Sequence, residues 1–268
     1  MRVGIKCAVD GALVSDEECL RCRMNDCDRV DTDCGYAYEV LKGIMDSSGR
    51  STAHTSATML TNSCHRRVWL EQREDYYVDP KVMYPAYRGT MGHIMTEMYP
   101  QPGCFYEQRF ETIITIDKKK IRITGALDKL NIDEHYIHDF KTKADAKLSR
   151  LKVAEESHTM QLNIYRWLVF NGWPQKRMIH KGLTYRKNVP SKIRVDSLKL
   201  FYQSMNGVKM FVPPIMDLQD VEEYVYDQAR DLIGDIPPIP KDLDPFKSKL
   251  CLDWCAVRDY CIQYHLGF

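Results

Sequence analysis

The chain has 268 residues, 44% of them hydrophobic and 28% charged, which is typical of a packed globular protein and excludes general disorder. Its 38 Lys and Arg nearly balance its 37 Asp and Glu, so the net charge of +1 excludes a basic surface spread over the whole molecule. No apolar run reaches the roughly 18 residues of a membrane span, and the N-terminus lacks the apolar core of a signal peptide. We therefore expect no membrane association and a cytoplasmic location, which includes a viral protein acting in its host's cytoplasm.

The first part of the chain predicts short helices separated by loops. Apolar spacing predicts a helix over Tyr36–Met45, and the Ser/Thr-rich stretch Asp46–Ser63 is typical of a loop. A short helix is expected near Cys64–Glu71. The glycine-rich sequence Gly89–Gly92 predicts the start of a further helix over about His93–Tyr99.

Strands are predicted next, over Phe105–Asp117, Ile121–Ile132 and Tyr136–Lys141. Connections of hairpin length join them, so we expect an antiparallel meander. The remaining predicted elements are helices over Glu155–Asn171 and Asp217–Ile233, strands over Arg177–Tyr185, Ile193–Leu198 and Val208–Val212, and a stiff spacer over Pro237–Pro240. Together they predict an α/β domain over residues 51–268, with a mixed central sheet flanked by helices, after a cysteine-rich segment over residues 1–50.

The central strands carry residues suited to metal-dependent phosphodiester cleavage. Asp128 ends one predicted strand and Asp139 lies on the next, so a tight turn brings both carboxylates toward one Mg²⁺ or Mn²⁺. Lys141 lies two residues after Asp139 and therefore on the same sheet face. The carbonyl of Phe140 is a further oxygen ligand. For an isolated D-x-K sequence, turn-capping acids and a surface lysine would be the commoner explanation.

Two helical pairs add to this set. His93 and Glu97 lie four residues apart on one predicted helix, and Gln161 and Tyr165 repeat the spacing on a later one. In order and context, Gly89-Thr90-Met91-Gly92-His93, Gly125-x-x-Asp128, Asp139-x-Lys141-Thr142 and Gln161-x-x-x-Tyr165 resemble the motifs of the PD-(D/E)xK nuclease superfamily, RecB-like branch, over roughly residues 60–265.

The resemblance implies a restriction-endonuclease-like fold and assigns roles to the matching residues. By it, His93, Asp128, Asp139 and the Phe140 carbonyl would bind Mg²⁺ or Mn²⁺, and Lys141 would be the catalytic lysine. Gln161 and Tyr165 would position water, the lysine or DNA. No role is assigned to Glu97 or Glu107, which match the pattern only weakly.

Cys64 and the C-terminal Cys251, Cys255 and Cys261 flank the predicted nuclease region. Their arrangement resembles the iron–sulfur staple of the AddB nuclease domain and of CRISPR-associated RecB-like exonucleases, although the first spacing here is x3 and not x2. The resemblance implies a structural [4Fe–4S] cluster that ties the domain's two ends together. Zinc at the same sulfurs and a set of buried free thiols are the alternatives.

The N-terminal segment contains Cys19-x2-Cys22, a spacing that suits a tetrahedral zinc site. Because five cysteines compete for four positions, we favour zinc ligation by Cys7, Cys19, Cys22 and Cys34, which leaves Cys27 unused. The alternative is a disordered acidic tail with spare thiols.

These features predict a Mg²⁺- or Mn²⁺-dependent deoxyribonuclease, an exonuclease that hydrolyses phosphodiester bonds at DNA ends or in single strands. The expected partners are DNA and a helicase or recombination protein. One alternative is a non-catalytic or partner-dependent DNA-binding module of a recombination or repair complex. Another is a metalloprotein whose cysteine sites act as redox or sensor centres.

Overall fold

The computed structural model describes residues 1–23, 34–47, 54–175, 192–235, 238 and 247–266. The predicted strand Arg177–Tyr185 and the residue Cys27 lie outside these ranges. The chain divides into two compact units. Unit 1 comprises Met1–Thr52, Cys64–Thr90 and Asp231–Phe268, and unit 2 comprises Ala53–Ser63 and Met91–Arg230.

The strands of the described residues are β1 (Arg2–Lys6), β2 (Leu13–Val14), β3 (Thr55–Ser56), β4 (Tyr76–Val78), β5 (Cys104–Ile116), β6 (Lys119–Asn131), β7 (Tyr136–Thr142), β8 (Trp173–Pro174), β9 (Ser197–Gln203) and β10 (Val208–Phe211). The helices are α1 (Asp16–Arg23), α2 (Tyr38–Ser47), α3 (Ala57–Leu60), α4 (His65–Arg73), α5 (Pro80–Glu97), α6 (Asp145–Arg150), α7 (Glu156–Asn171), α8 (Leu218–Ile233), α9 (Lys249–Trp254) and α10 (Arg258–Leu266). Among the described residues, none of these helices is long and apolar enough to cross a membrane.

Unit 1 contains a small sheet in the order β2-β1-β4 and a core drawn from distant parts of the chain. Ile5 of β1, Leu41 of α2, Trp69 of α4 and Val257 near the C-terminus belong to one buried cluster. The N-terminal segment therefore shares its core with the segments around Cys64 and Cys261.

Unit 2 is built on a large mixed sheet in the order β10-β9-β7-β6-β5-β8, with β3 paired to β6. Strands β5, β6 and β7 form the predicted antiparallel meander, whereas β7 and β9 run parallel. Parallel neighbours need a crossover connection, and α7 lies within the one that joins β7 to β9. The prediction of a mixed sheet flanked by helices is confirmed.

Helix α7 packs against this sheet through an apolar stripe. Ile164, Trp167 and Leu168 are buried to 2% exposure or less. The helix lies so close to β6 that a Cβ on Gly125 would be 2.7 Å from Cδ1 of Tyr165. This glycine therefore sets how near α7 comes to β6, the strand that contains Asp128.

Some predicted boundaries are wrong. Helix α5 begins at Pro80, since Pro is favoured in a first helical turn and Asp79 accepts the amide of Lys81 at 2.8 Å. The glycine pair therefore lies inside the helix, where a Cβ on Gly92 would be 2.7 Å from the Gln203 amide nitrogen. The predicted strand Ile193–Leu198 is displaced to β9, and the predicted loop Asp46–Ser63 contains β3 and α3.

Candidate metal centre

The two aspartates of the predicted centre lie where β6 and β7 separate. Pairing of these strands ends at Lys129 and His138. Just beyond it, the Phe140 amide donates to Asp128 Oδ2 at 2.6 Å. Asp128 and Asp139 are both buried, with exposures of 4% and 1%. Because N–H and C=O of one strand residue point to the same side, the Phe140 carbonyl faces the same gap.

Burial of two neighbouring carboxylates is unfavourable for both charges. Desolvation, followed by the charge of Asp139, raises the pKa of Asp128 well above its usual value, and the charges of His93 and Lys141 offset part of the rise. Neither carboxylate oxygen of Asp139 has a hydrogen-bond partner among the described residues. A divalent cation at this point would offset the repulsion between the two carboxylates.

Lys141 supplies one cation, and its Nζ lies 2.7 Å from Asp139 Oδ2. Burial acts to lower the pKa of Lys141, but the charges of Asp139 and Asp128 outweigh this effect and raise it above the ordinary value. The contact is an ion pair without hydrogen-bond geometry at Oδ2. It places the ammonium beside the carboxylates, as the D-x-K spacing predicts.

His93 of α5 joins the carboxylates from outside the β6–β7 pair. Its Nδ1 lies 3.2 Å from Asp128 Oδ1 and 3.2 Å from Glu107 Oε1. The hydrogen bond to Glu107 raises the pKa of His93 to about 9 against the opposing effect of burial, and the charge of Asp128 adds to the rise. The side chains of His93, Glu107 and Asp128 each offer a ligand atom within 4.8 Å of the others.

Glu107, which matches the sequence motifs only weakly, has no predicted role. It adopts a φ of 47° inside β5, a left-handed conformation that residues with side chains rarely take. The flanking pairs Tyr106–Lys129 and Gln108–Leu127 keep their register across it. Such conformations concentrate at functional sites, where the surrounding structure holds them. The signal in the sequence, one Glu among many, was too weak to single it out.

Gln161 and Tyr165 lie on the face of α7 that packs on the sheet. Gln161 Nε2 donates to Tyr165 Oη at 2.6 Å and to Thr58 Oγ1 at 3.0 Å. Burial raises the pKa of Tyr165 well above its usual value, and the charges of Asp139 and Asp128 raise it further. The two residues therefore lie near the carboxylates, and Gln161 donates to Tyr165 and Thr58.

The donor set fits a divalent cation. Hard carboxylate oxygens with one imidazole suit Mg²⁺ or Mn²⁺. The buried Asp139 oxygens without hydrogen-bond partners and the mutual repulsion of Asp128 and Asp139 are both relieved by a positive charge at this point. Among the described residues, His93, Glu107 and Asp128 form the group of three whose ligand atoms approach within 4.8 Å.

The four flanking cysteines all belong to unit 1. Cys64 is the N-cap of α4, and its Sγ accepts the Arg67 amide at 3.4 Å. Burial raises the pKa of Cys64, and the charges of Cys261 and Cys251 raise it further. Burial also raises the pKa of Cys255 to about 11, with Cys64 contributing. Cys64 therefore lies close enough to Cys251, Cys255 and Cys261 for charges on these thiols to affect thiol pKa values.

The N-terminal cysteines are placed in separate elements. Cys7 follows β1, Cys19 and Cys22 lie on α1, and Cys34 precedes α2. Cys19 and Cys34 pack against the core cluster of unit 1. No three of these sulfurs, within the described part of the chain, approach within 4.8 Å of one another. The zinc site stays a prediction.

A solved structure, the crystal structure of SSO0001, is similar to this chain, with a TM-score of 0.53 and 16% sequence identity. The match covers 83% of this chain and 93% of that chain. The two proteins share a fold. At this identity the similarity carries no information on activity. Comparison with protein-family models and with curated protein sequences gave no match.

Proposed function

We propose that this protein is a Mg²⁺- or Mn²⁺-dependent deoxyribonuclease of the PD-(D/E)xK superfamily, RecB-like branch. It acts as an exonuclease at DNA ends or on single-stranded DNA, in the cytoplasm. The observation that supports this most is the convergence of His93, Asp128, Asp139 and Lys141 from α5, β6 and β7 into one buried cluster of charges.

In this proposal, His93, Asp128, Asp139 and the Phe140 carbonyl hold the metal, and Glu107 adds a carboxylate beside His93. When bound, the divalent ion would polarise the scissile phosphate and lower the pKa of a coordinated water. Lys141, held near Asp139, orients that water or offsets charge that develops on the phosphate. Gln161 and Tyr165 keep the side of the site next to α7 ordered.

Recognition in such a site is directed at phosphate. Because phosphate contacts carry no sequence information, we expect binding that depends strongly on salt and little on base sequence. Lys118, in the turn between β5 and β6, and Lys119 and Lys120, the first residues of β6, are all exposed. These residues offer a local basic surface in a chain whose net charge is only +1.

We also propose that Cys64, Cys251, Cys255 and Cys261 hold a structural [4Fe–4S] cluster. Their mutual effects on thiol pKa support proximity. A single tetrahedral zinc ion with Zn–S bonds of about 2.3 Å needs sulfurs about 3.8 Å apart. No three described cysteine sulfurs lie within 4.8 Å of one another, so zinc and free thiols are the competing proposals that iron analysis must distinguish.

The test is digestion of end-labelled linear DNA and covalently closed circular DNA with Mn²⁺, using anaerobically purified protein. Lys141→Ala is the inactive variant, and Lys152→Ala, at an exposed position to which no role is assigned, is the matched lysine control. Loss of linear DNA alone, absent in Lys141→Ala and retained in Lys152→Ala, is the expected result. Loss of circular DNA as well would replace exonuclease with endonuclease. No metal-dependent loss from folded protein would overturn the proposal and favour a non-catalytic DNA-binding module.

A further inference from the structure

The β5–β6 hairpin has an outer face, directed away from α7, that carries more positive than negative charge. Gly125 of β6 faces α7, since a Cβ there would touch Tyr165 and Leu168, and side chains alternate along a strand. The alternate positions of β6 and their register partners on β5 therefore form the outer face. Its charged residues on these two strands are Arg109, Glu111, Lys120 and Arg122.

Glu111, the one carboxylate of this set, already has hydrogen-bond partners. It accepts the indole N–H of Trp173 at 2.9 Å and also accepts the side-chain amide of Gln175. Arg122 Nε lies 3.8 Å from its other oxygen. Glu111 therefore offsets one positive charge at most and leaves the outer face with an excess of cations.

The two arginines of the outer face lie near the same imidazole. Burial lowers the pKa of His54, and the charges of Arg109 and Arg122 lower it further, against the opposing charge of Glu111. His54 is therefore neutral near pH 7. Arg109 Nη1 donates to Thr124 Oγ1 at 3.4 Å, and Arg109 forms no ion pair with a described residue. The Arg122 side chain is 51% exposed. Both guanidinium groups are thus available to an anion.

An exposed indole borders these cations. Trp173 of β8 is the register partner of Glu111 on β5. Its side chain is held at the outer face by the bond to Glu111, yet the residue is 43% exposed. Bases of single-stranded DNA stack on such rings, and arginines beside them bind the phosphates. The bases of a duplex are already stacked on one another, so a single strand is the form that fits.

We infer that the outer face binds a single-stranded segment of DNA, with phosphates on Arg109 and Arg122 and a base on Trp173. The inference deepens the proposed function, on which the choice of DNA as the ligand rests. Arg109 is two residues from Glu107 on β5, about 7 Å along the strand, and Arg122 is six residues from Asp128 on β6, about 20 Å. The outer face and the metal centre therefore lie on the same two strands, near enough for one DNA strand to contact both.

A set of substitutions separates the contributions. Arg109→Gln and Arg122→Gln each remove one cation, and Arg194→Gln removes an exposed cation that precedes β9 as the matched control. Glu111→Gln removes the negative charge and keeps an oxygen that accepts from Trp173. Trp173→Leu removes the aromatic ring, whereas Trp173→Phe keeps a ring without the Nε1 donor.

The measurement is the fluorescence anisotropy of a labelled oligothymidylate, and of a duplex of the same length, with the metal-free protein in EDTA. Arg109→Gln and Arg122→Gln should each weaken binding and lower the slope of log affinity against log salt by about 0.7, the value for one phosphate contact on a single strand. Trp173→Leu should weaken single-strand binding by roughly 5- to 150-fold without changing the slope. Trp173→Phe should retain most of the affinity.

Glu111→Gln distinguishes a binding surface from a purely structural one. A surface that binds phosphate should bind more tightly when its carboxylate is neutral. A substitution that only disturbed the packing of the outer face would weaken binding instead.

The inference would be overturned by equal salt slopes in Arg109→Gln, Arg122→Gln and Arg194→Gln, by weaker binding in Glu111→Gln, or by a duplex bound as tightly as the single strand. DNA cleavage with Mn²⁺ by a protein whose binding ignores these substitutions would retain the nuclease proposal and overturn the inference alone. The expected binding results from a protein without metal-dependent cleavage would uphold the outer face as a DNA-binding surface and overturn the nuclease proposal.

Discussion

The backbone amide of Phe140 donates to the Asp128 carboxylate at 2.6 Å, across the point where β6 and β7 cease to pair. This bond takes the place of the next backbone hydrogen bond between the two strands and holds the Asp128 carboxylate within the sheet. It therefore places Asp128 beside Asp139, and the metal-free protein bears the resulting repulsion.

Asp128→Asn should stabilise the metal-free protein while removing metal-dependent function. The amide oxygen can still accept from Phe140, but the buried charge is gone. The raised pKa of Asp128 means that its charged form opposes folding above its ordinary titration range. We expect a gain of about 1 kcal/mol without metal, measured by urea unfolding, and at least a 100-fold loss of Mn²⁺-dependent cleavage.

Asp133→Asn, on the β6–β7 turn, is the matched control. It should change the free energy of unfolding by no more than about 0.5 kcal/mol and leave Mn²⁺-dependent cleavage unchanged. Equal destabilisation of both variants would contradict the idea that Asp128 is held in an unfavourable environment for its ligand role.

His93 should link Mn²⁺ binding to proton release. Its folded-state pKa of about 9 lies above an unfolded value of about 6.5. The charged imidazole therefore stabilises the metal-free protein fully below about pH 6.5, and this contribution is lost as the pH rises toward 9.

A metal ligand must be neutral, so Mn²⁺ affinity should rise by up to about tenfold per pH unit across that window. Calorimetry in buffers of different ionisation enthalpy measures the released proton. In His93→Gln, the stability of the metal-free protein and the Mn²⁺ affinity should both depend less on pH. Unchanged pH dependence in that variant would assign the proton to another group.

Gly125→Ala should destabilise unit 2. The new Cβ would lie 2.7 Å from Tyr165 Cδ1 and 2.8 Å from Leu168 Cδ1, closer than packed side chains allow. We expect a loss of roughly 1–3 kcal/mol and a drop in cleavage as the Gln161–Tyr165 pair shifts. Thermal unfolding measures the first effect. Gly207→Ala is the control, because no described atom lies within 4 Å of a Cβ there.

Cys64→Ser should reduce iron and acid-labile sulfide in anaerobically purified protein and lower the stability of unit 1. The same loss is expected for Cys255→Ser, because the charge of Cys64 affects the pKa of Cys255 and the two thiols therefore lie near each other. Cys104→Ser, in β5 of unit 2, is the matched control. Full iron content in Cys64→Ser, or zinc in place of iron in wild type, would contradict the cluster proposal.

Periodicity in the sequence was sufficient for the centre of the fold. The meander of β5, β6 and β7 and the helix α7 lie within a few residues of their predicted ranges, because alternation and an apolar stripe report burial directly. The start of α5 was predicted wrongly because glycines usually interrupt helices. Here Gly92 lies inside the helix, where a Cβ would be 2.7 Å from the side-chain nitrogen of Gln203, a contact that no local pattern reveals.

The sequence by itself determined which chemistry was available: the D-x-K spacing places Asp139 and Lys141 on one sheet face, because strand side chains alternate with a period of two. Only the tertiary structure decided that Glu107, held at a φ of 47°, meets His93 and that Trp173 reaches Glu111 on the outer face. These contacts join residues 14 and 62 positions apart. They depend on strand register and helix placement, which are set by packing of the whole unit and leave no periodic signal in the chain.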